Sequence, residues 1–219
     1  ASMDRKVREV LASKGVGQGQ IEILEALLKL RQVCCDPRLL DSSDTDAPHS
    51  AKLDYLLSMV DELLDEGHRL IIFSQFTSML ALIEQALIAR GHAYVMLTGQ
   101  TKDRERPVER FQNGEVEVFL ASLKAGGVGL NLMAADCVIH YDPWWNPAVE
   151  TQATDRAWRI GQDKPVFVYR LICEGTVEQR MLALQQRKAD LAQSVYDGGN
   201  AFAEALTADD IKALFEPIQ

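Results

Sequence analysis

Three polar residues in the second half of the chain, Gln152, Arg156 and Arg159, have the types and spacing that could bind a phosphate. On a helix of about 3.6 residues per turn they stand at i, i+4 and i+7, so their side chains would share one face. Guanidinium groups are planar, permanently charged donors that match phosphate oxygens. The alternative is a solvated face on which Asp155 or Glu150 pairs with the arginines. Spacing alone leaves these two interpretations level.

A glycine-rich segment, residues 121–132, follows an apolar run and could also approach an anion. Gly126, Gly127 and Gly129 permit positive φ and a close approach of backbone amides to a phosphate or a sugar. The segment is not a G-x-x-x-x-G-K-[ST] phosphate loop, and it is not a dinucleotide fingerprint because Leu132 stands where the third glycine would fall. A simple turn is the alternative. The polar neighbours that favour a phosphate or ribose role are Ser122, Lys124 and Asn131.

Two further stretches that follow apolar runs contain residues that could bind a partner. In the first, cations alternate with acids in the order Lys102, Asp103, Arg104, Glu105 and Arg106. By itself this pattern favours the solvated start of a helix over a binding patch. The second stretch contains the adjacent rings of Trp144 and Trp145, which are costly to expose and must pack on something. Core packing, a contact with a partner lobe and a contact with a nucleotide base all remain open.

Histidines and cysteines give no sign of a metal centre or of a catalytic group. The cysteines are Cys34, Cys35, Cys137 and Cys173, and the histidines are His49, His68, His92 and His140. No C-x-x-C pair is present, and no histidine stands at metal-ligand spacing. We therefore expect no metal ligands in this chain, thiols that are free, and histidines that are structural or solvated.

The elements that must position these residues are strands alternating with helices. Short apolar runs predict strands over 69–74, 93–97, 116–121, 137–141 and 166–173. Periodicity and capping residues predict helices from Ser50 to Gly67, from Thr77 or Ser78 to Gly91, over 102–112, from Asn146 to about residue 160, and from Thr176 towards Gly198. This order predicts an α/β fold, a doubly wound parallel sheet with helices on both faces. Ligands should then bind at the carboxyl ends of the strands.

Composition limits the class of protein. The chain has 219 residues, of which 47% are hydrophobic, enough for one principal domain with helical attachments. No apolar run reaches the ~18 residues that a membrane span needs, so we expect no membrane partner and an intracellular location. The net charge of -9 argues against a protein held on nucleic acid by bulk positive charge. Any such contact must come from a local patch.

The polar run from Asp41 to Pro48 predicts a linker. We therefore expect a helical appendage and linker over 1–49, the principal lobe over 50–175, and a long helix with a short terminal helix over 176–219.

Taken together, these motifs resemble the C-terminal lobe of SWI/SNF-type ATPases, a branch of the superfamily 2 helicases. The stretches that carry the resemblance are 70–76, 97–102 with Arg106, 122–132, 138–147 and 152–162, and the likeness extends over about residues 24–191. The residues of these motifs are most similar to those of bacterial members, so the resemblance also suggests a location in the bacterial cytoplasm or nucleoid. Trp158 departs from the histidine that many relatives have at this position.

The resemblance implies a RecA-like lobe that works with an N-terminal RecA-like lobe of the same polypeptide, with ATP bound between the two and double-stranded DNA across both. Arg156 and Arg159 match the arginine fingers, and Gln152 matches the glutamine of the same motif. Gly129 and Asn131 match positions near the nucleotide. The residues that match DNA-tracking motifs are Gln75, Arg104, Arg106, Ser122 and Lys124. The helix from Val177 resembles the brace that folds back onto the first lobe.

What the chain lacks sets a limit on its activity. It has neither the phosphate loop nor the D-E-x-H element that holds Mg²⁺. We therefore expect ATP and Mg²⁺ to be held mainly by the other lobe, and this chain alone to be inactive. The alternative is a stand-alone nucleic-acid-binding or regulatory module that uses the fold without hydrolysis.

Overall fold

The computed structural model describes residues 22–40, 50–126, 130–158 and 164–194, together with positions 210 and 214. Within these ranges, strands and helices alternate. The strands are β1 (Leu70–Ser74), β2 (Tyr94–Leu97), β3 (Val118–Ser122), β4 (Cys137–His140) and β5 (Phe167–Arg170). The helices are α1 (22–35), α2 (Ala51–Asp65), α3 (Thr77–Arg90), α4 (Glu105–Gln112), α5 (Leu123–Gly126), α6 (Pro147–Thr154) and α7 (Val177–Ser194), with a 3-10 turn at Pro37–Leu39.

The strands form one parallel sheet in the order β2-β3-β1-β4-β5. Alternate side chains of the central strand β1 pack into two different hydrophobic clusters, one on each face of the sheet. Leu70 and Ile72 pack with α2 and α3, whereas Ile71 and Phe73 pack with α4, α5 and α6. Because both faces of the sheet are covered, β1 is apolar along nearly its whole length. The predicted fold, a RecA-like doubly wound sheet with helices on both faces, is confirmed.

Local capping explains where several helices begin. The Ser50 hydroxyl accepts a hydrogen bond from a backbone N–H three residues on, at 3.2 Å, as predicted for the start of α2. The predicted cap of α3 at Thr77 or Ser78 is wrong, because Phe76 is the N-cap and makes no side-chain cap bond. The hydroxyl of Ser74, at the end of β1, accepts from the Phe76 N–H at 3.1 Å, so the strand itself sets the turn.

Helix α6 is shorter than its sequence predicts. Asn146 caps it as expected, with its side chain accepting a backbone N–H at 3.0 Å, but the helix ends at Thr154 instead of about residue 160. Beyond Thr154 the backbone bonds tighten into turns, and the carbonyl of Arg156 accepts from the Leu132 N–H at 2.9 Å. The prediction that the glutamine and both arginines share one helix is therefore wrong for Arg156. Arg159 lies outside the described residues.

The first and last described helices pack on each other. Ile23 and Leu27 of α1 meet Met181 and Leu184 of α7 in a small apolar cluster, which Leu214 also joins. The predicted linker and the end of α7 near residue 198 lie outside the described residues, and the division into three segments stays a prediction. Among the described helices, none combines the length and the apolar character that crossing a bilayer requires.

Candidate functional site

The carboxyl ends of four neighbouring strands form one edge of the sheet. The register aligns Leu97, Ala121, Phe73 and His140 along this edge, in the strand order β2, β3, β1 and β4. The ends of these strands and the loops and helices that follow them carry most of the predicted site residues, namely Gln75, Arg104, Arg106, Ser122, Lys124, Asn131, Gln152 and Arg156. Gly129 and Arg159 lie outside the described residues. The edge is where a ligand of a doubly wound sheet is expected to bind.

A buried carboxylate, Asp142, organises the centre of this edge. Ser74 and the side-chain amide of Gln75 both donate hydrogen bonds to it. Burial raises the pKa of Asp142, while the hydrogen bond from Ser74 and the positive charge of Arg31 act in the opposite direction. The Gln75 amide is thus engaged inside the lobe, and it joins the end of β1 to the loop after β4.

Arg31 of α1 completes this cluster from the other end of the sequence. Its guanidinium donates to the Pro143 carbonyl at 2.9 Å and lies 3.9 Å from the Asp142 carboxylate. It also stacks over the rings of Trp144 and Phe76, at 5.1 and 5.6 Å from their centroids. Burial lowers the pKa of Arg31, and Asp142 opposes that shift. Sequence reasoning gave neither Arg31 nor Asp142 a role, because no local motif links residues this far apart.

Arg104 and Ser122 hold the beginning of the glycine-rich segment. The Arg104 guanidinium donates to the carbonyl of Ala125 at 2.8 Å, and the Ser122 hydroxyl accepts from the Ala125 N–H at 3.3 Å. The two polar side chains therefore hold the backbone of Ala125 on both sides, one at its N–H and the other at its carbonyl. In contrast, Lys124 and Arg106 are exposed to solvent.

The end of the glycine-rich segment is attached to the arginine segment. Leu132 N–H donates to the Arg156 carbonyl at 2.9 Å, so the two motifs meet in space. Asn131 is exposed, and its backbone carbonyl accepts from the Gln112 side chain at 3.0 Å. Gln152 is exposed on α6, and Arg156 is half-buried just past its end. The structure therefore brings together the two segments that the sequence marked for phosphate binding.

Glu150, considered from the sequence as a surface partner of the arginines, is buried instead. One of its oxygens accepts from the Trp144 N–H at 2.7 Å and from the Gln185 amide at 2.9 Å, and the other accepts from Arg170 at 3.0 Å. The opposite face of the helix carries exposed residues, among them Gln152. Sequence reasoning missed Gln185, which no motif marks.

The two tryptophans and His140 are packed around the same loop. The Trp144 and Trp145 rings lie 5.0 Å apart and pack against different apolar clusters, so the expectation that they pack is confirmed. His140 is buried against the ring of Phe73 and lies 3.0 Å from the Thr154 hydroxyl. Burial lowers the pKa of His140 to about 4, so its imidazole is neutral at physiological pH. This residue is structural, as the sequence predicted.

A possible set of metal ligands lies at the opposite edge of the sheet. His68, Asp136 and Cys137 place one ligand atom each within 4.8 Å of one another. The Asp136 carboxylate already accepts from the Arg69 N–H at 2.9 Å and lies 3.0 Å from the His68 ring nitrogen. Burial raises the pKa of Cys137 to about 12, which keeps its sulfur protonated. These contacts explain why the three residues lie together: they link the starts of β1 and β4 by hydrogen bonds.

Comparisons with known proteins show which family the chain resembles. Residues 51–161 match the family described as "Helicase conserved C-terminal domain". The chain is 45% identical over 177 residues to the chromatin-remodeling ATPase INO80 of Homo sapiens, a match that covers 80% of this chain and 11% of that protein. It is 40% identical over 202 residues to an ATP-dependent helicase of Mycoplasma pneumoniae, covering 91% of this chain and 19% of that protein. The chain thus spans a small part of these relatives.

Two archaeal structures resemble the whole chain. The SWI2/SNF2 ATPase core of Sulfolobus solfataricus in complex with dsDNA is 30% identical with a TM-score of 0.78, covering 100% of this chain and 47% of that one. The separate C-terminal domain of the Sulfolobus solfataricus SWI2/SNF2 ATPase is also 30% identical, with a TM-score of 0.70, covering 100% of this chain and 90% of that one. The likeness therefore extends over the whole of this chain and most of a lobe that has been solved by itself.

Proposed function

We propose a function from one premise: this chain belongs to the helicase conserved C-terminal domain family, as the C-terminal RecA-like lobe of a SWI/SNF-type ATPase. The chain is then half of an ATP-driven motor on double-stranded DNA. The observation that carries this proposal is the hydrogen bond between Leu132 and Arg156, which joins the glycine-rich and arginine segments at the carboxyl edge of the sheet. The DNA complex of the archaeal relative supports the choice of polymer.

The residue types assigned to this site fit the oxygens of a phosphate. Arg156 and Arg159 would supply permanent positive charge, and Gln152 a neutral donor, while Gly129 and Asn131 would line the nucleotide. None of these side chains offers a carboxylate, so the set does not suit Mg²⁺. The metal, which neutralises phosphate charge when ATP is bound, would be held with most of the nucleotide by the N-terminal lobe. This chain by itself would then be unable to hydrolyse ATP.

DNA would cross the same edge beside the nucleotide. Lys124 and Arg106 are exposed there and can meet backbone phosphates directly. Gln75, Arg104 and Ser122 would act on the strand indirectly. Gln75 bonds the Asp142 carboxylate, and the other two hold the backbone of Ala125. A few donors are enough, because phosphate contacts need a local stripe of positive charge and not a basic domain.

The cycle follows from these roles. Nucleotide between the lobes draws them together, because the arginines of this lobe then reach charge held by the other. Hydrolysis removes that attraction, and the lobes reopen one step further along a DNA strand. Such a motor would remodel protein–DNA complexes without separating the strands. We place it in the bacterial cytoplasm or nucleoid, where its DNA would lie.

Substitution of Arg156 tests this proposal in the complete two-lobe protein. In R156A, DNA-stimulated ATP turnover should fall on the order of 10³-fold, because an arginine finger stabilises the charge of the transition state. R156K keeps the charge but loses the planar fork, so its turnover should be intermediate. The measurement is steady-state phosphate release with saturating DNA, with the isolated chain assayed in parallel and expected to show no hydrolysis.

The matched control is R110A, because Arg110 is a half-exposed arginine on α4 that pairs with Glu115 at 3.2 Å. Its turnover should stay near that of the unmodified protein. Undiminished turnover in R156A would remove the role assigned to Arg156, and DNA-stimulated hydrolysis by the isolated chain would contradict the assignment of nucleotide binding to the other lobe.

A further inference from the structure

Four elements meet at the buried carboxylate of Glu150. Glu150 belongs to α6 and is 1% exposed, Trp144 belongs to the loop before α6, Arg170 ends β5, and Gln185 belongs to α7. The Gln185 amide nitrogen donates both to Glu150, at 2.9 Å, and to the Trp144 carbonyl. A single side chain of α7 therefore binds the helix and the loop that precede the arginine segment.

The buried donors matter most in this cluster. Arg170 is 43% exposed, so water screens much of its attraction to the carboxylate. Gln185 is 6% exposed and its amide has no comparable access to water. A buried donor or acceptor that loses its partner costs free energy, so α7 and α6 have a strong preference for this one relative position.

Helix α6 ends close to the arginine that we assign to the nucleotide. Eight residues span roughly 12 Å, at about 1.5 Å per residue. Its far end is fixed by the contact of Thr154 with His140 and by the bond from Leu132 to the Arg156 carbonyl. The helix is thus held at both ends, so the contact of Gln185 with Glu150 helps to fix the position of α6 and of Arg156, which follows it.

We propose that Glu150 and Gln185 are positioning residues, through which α7 holds Arg156 in the place that hydrolysis requires. This proposal rests on the proposed function of Arg156. It assigns Glu150 and Gln185 no contact with nucleotide or DNA, because both side chains are buried inside the lobe. Their loss should therefore change the rate of the chemical step and leave both affinities intact.

The test is a double-mutant cycle in the complete two-lobe protein. Q185M keeps the length of the side chain but removes its donor, and E150A removes the acceptor. Each should lower the kcat of DNA-stimulated hydrolysis on the order of 10-fold to 100-fold, as expected for a misplaced reacting group. KM for ATP and Kd for DNA should change less than about twofold. The double variant should be no slower than E150A, because both changes break one link.

Two further variants separate positioning from general damage. E150Q keeps an acceptor for Trp144 and Gln185 while losing the charge that Arg170 meets, so it should recover most of the rate that E150A loses. Q186M makes the same chemical change at the exposed neighbouring position of α7 and should match the unmodified protein. Thermal unfolding of every variant reports whether the folded fraction has changed, and Q185M keeps the test open if E150A does not fold.

The outcomes distinguish this proposal from the proposed function. Slow R156A together with full-rate Q185M and E150A would overturn the link and leave the arginine assignment standing. Full-rate R156A would remove the proposed function itself. Additive losses in the double variant, or a rise in KM without a fall in kcat, would also overturn the positioning role.

Discussion

Buried polar side chains at the carboxyl edge of the sheet are held by partners from distant parts of the chain. Asp142 receives donors from Ser74 and Gln75, and Arg31 reaches it from α1. A buried charge without such partners would be costly, so each of these groups constrains the loop it touches. The exposed residues of the same edge, Lys124 among them, make a different contribution, since they stay available to a partner.

His140 gives a prediction about pH at the residue scale. Burial lowers its pKa to about 4, whereas an unfolded histidine titrates near 6.5. Between these two pKa values, His140 is protonated in the unfolded chain and neutral in the folded chain. The free energy of unfolding therefore decreases as the pH falls from about 6.5 towards 4, by up to about 1.4 kcal/mol per pH unit. Chemical denaturation of this chain at pH 7, 6 and 5 should show a smaller loss in H140Q.

The control for this measurement is H92Q, because His92 is a half-buried histidine just before β2 whose ring nitrogen lies 2.6 Å from the Asp61 carboxylate. The loss of stability between pH 7 and 5 should persist in H92Q. A pH profile of H140Q that coincides with that of the unmodified chain would contradict the assignment to His140.

At the scale of elements, two buried polar contacts join helix α7 to the lobe within the described residues, in addition to its apolar packing. Gln185 is one, and the other is the ion pair between Glu178 at its start and Lys52 of α2, with the two atoms 2.6 Å apart. Glu178 also accepts from the Cys173 N–H at 2.9 Å. Burial raises the pKa of Glu178 and the positive charge of Lys52 opposes the shift. This attachment fixes the start of α7, and Gln185 two turns later contacts Trp144 and Glu150.

The ion pair gives a prediction about stability. K52M leaves the Glu178 carboxylate buried without its cation, so the free energy of unfolding should fall by about 3–5 kcal/mol. The double variant K52M/E178Q removes the uncompensated charge and should lose less than the sum of the two single variants. Urea denaturation followed by circular dichroism measures both. Strictly additive losses would show that the two side chains do not act as a pair.

At the scale of the whole molecule, a net charge of -9 must be reconciled with the DNA partner that we propose. Bulk attraction is excluded by that charge, so affinity should come from a few exposed cations at one edge. The parallel sheet provides for this, because it brings the loops after β2, β3, β1 and β4 to the same side. Acidic residues elsewhere on the chain then do not prevent phosphate contacts at that edge, because those contacts act over short distances.

Salt dependence tests this local attraction. In the complete protein, K124A should reduce the slope of log Kd against log salt concentration by about 1, the loss of one phosphate contact. The matched control is K164A, because Lys164 is an exposed lysine just before β5 and thus near the amino ends of the strands. Fluorescence anisotropy with a DNA duplex over a salt series gives both slopes. An equal fall in the two variants would indicate nonspecific attraction.

The sequence by itself determined the parallel α/β sheet, the edge of the sheet where most of the candidate site residues lie, and the caps at Ser50 and Asn146. These features depend on contacts between residues a few positions apart or on apolar runs that must be covered on both faces. Only the tertiary structure decided where α6 ends, that Arg31 lies beside Asp142, and that Glu150 faces inward to Gln185. The Arg31 side chain meets the Pro143 carbonyl across 112 residues, and Glu150 meets Gln185 across 35. Such pairs form because a buried polar group needs a partner from whichever segment folds against it, and no local pattern specifies that segment.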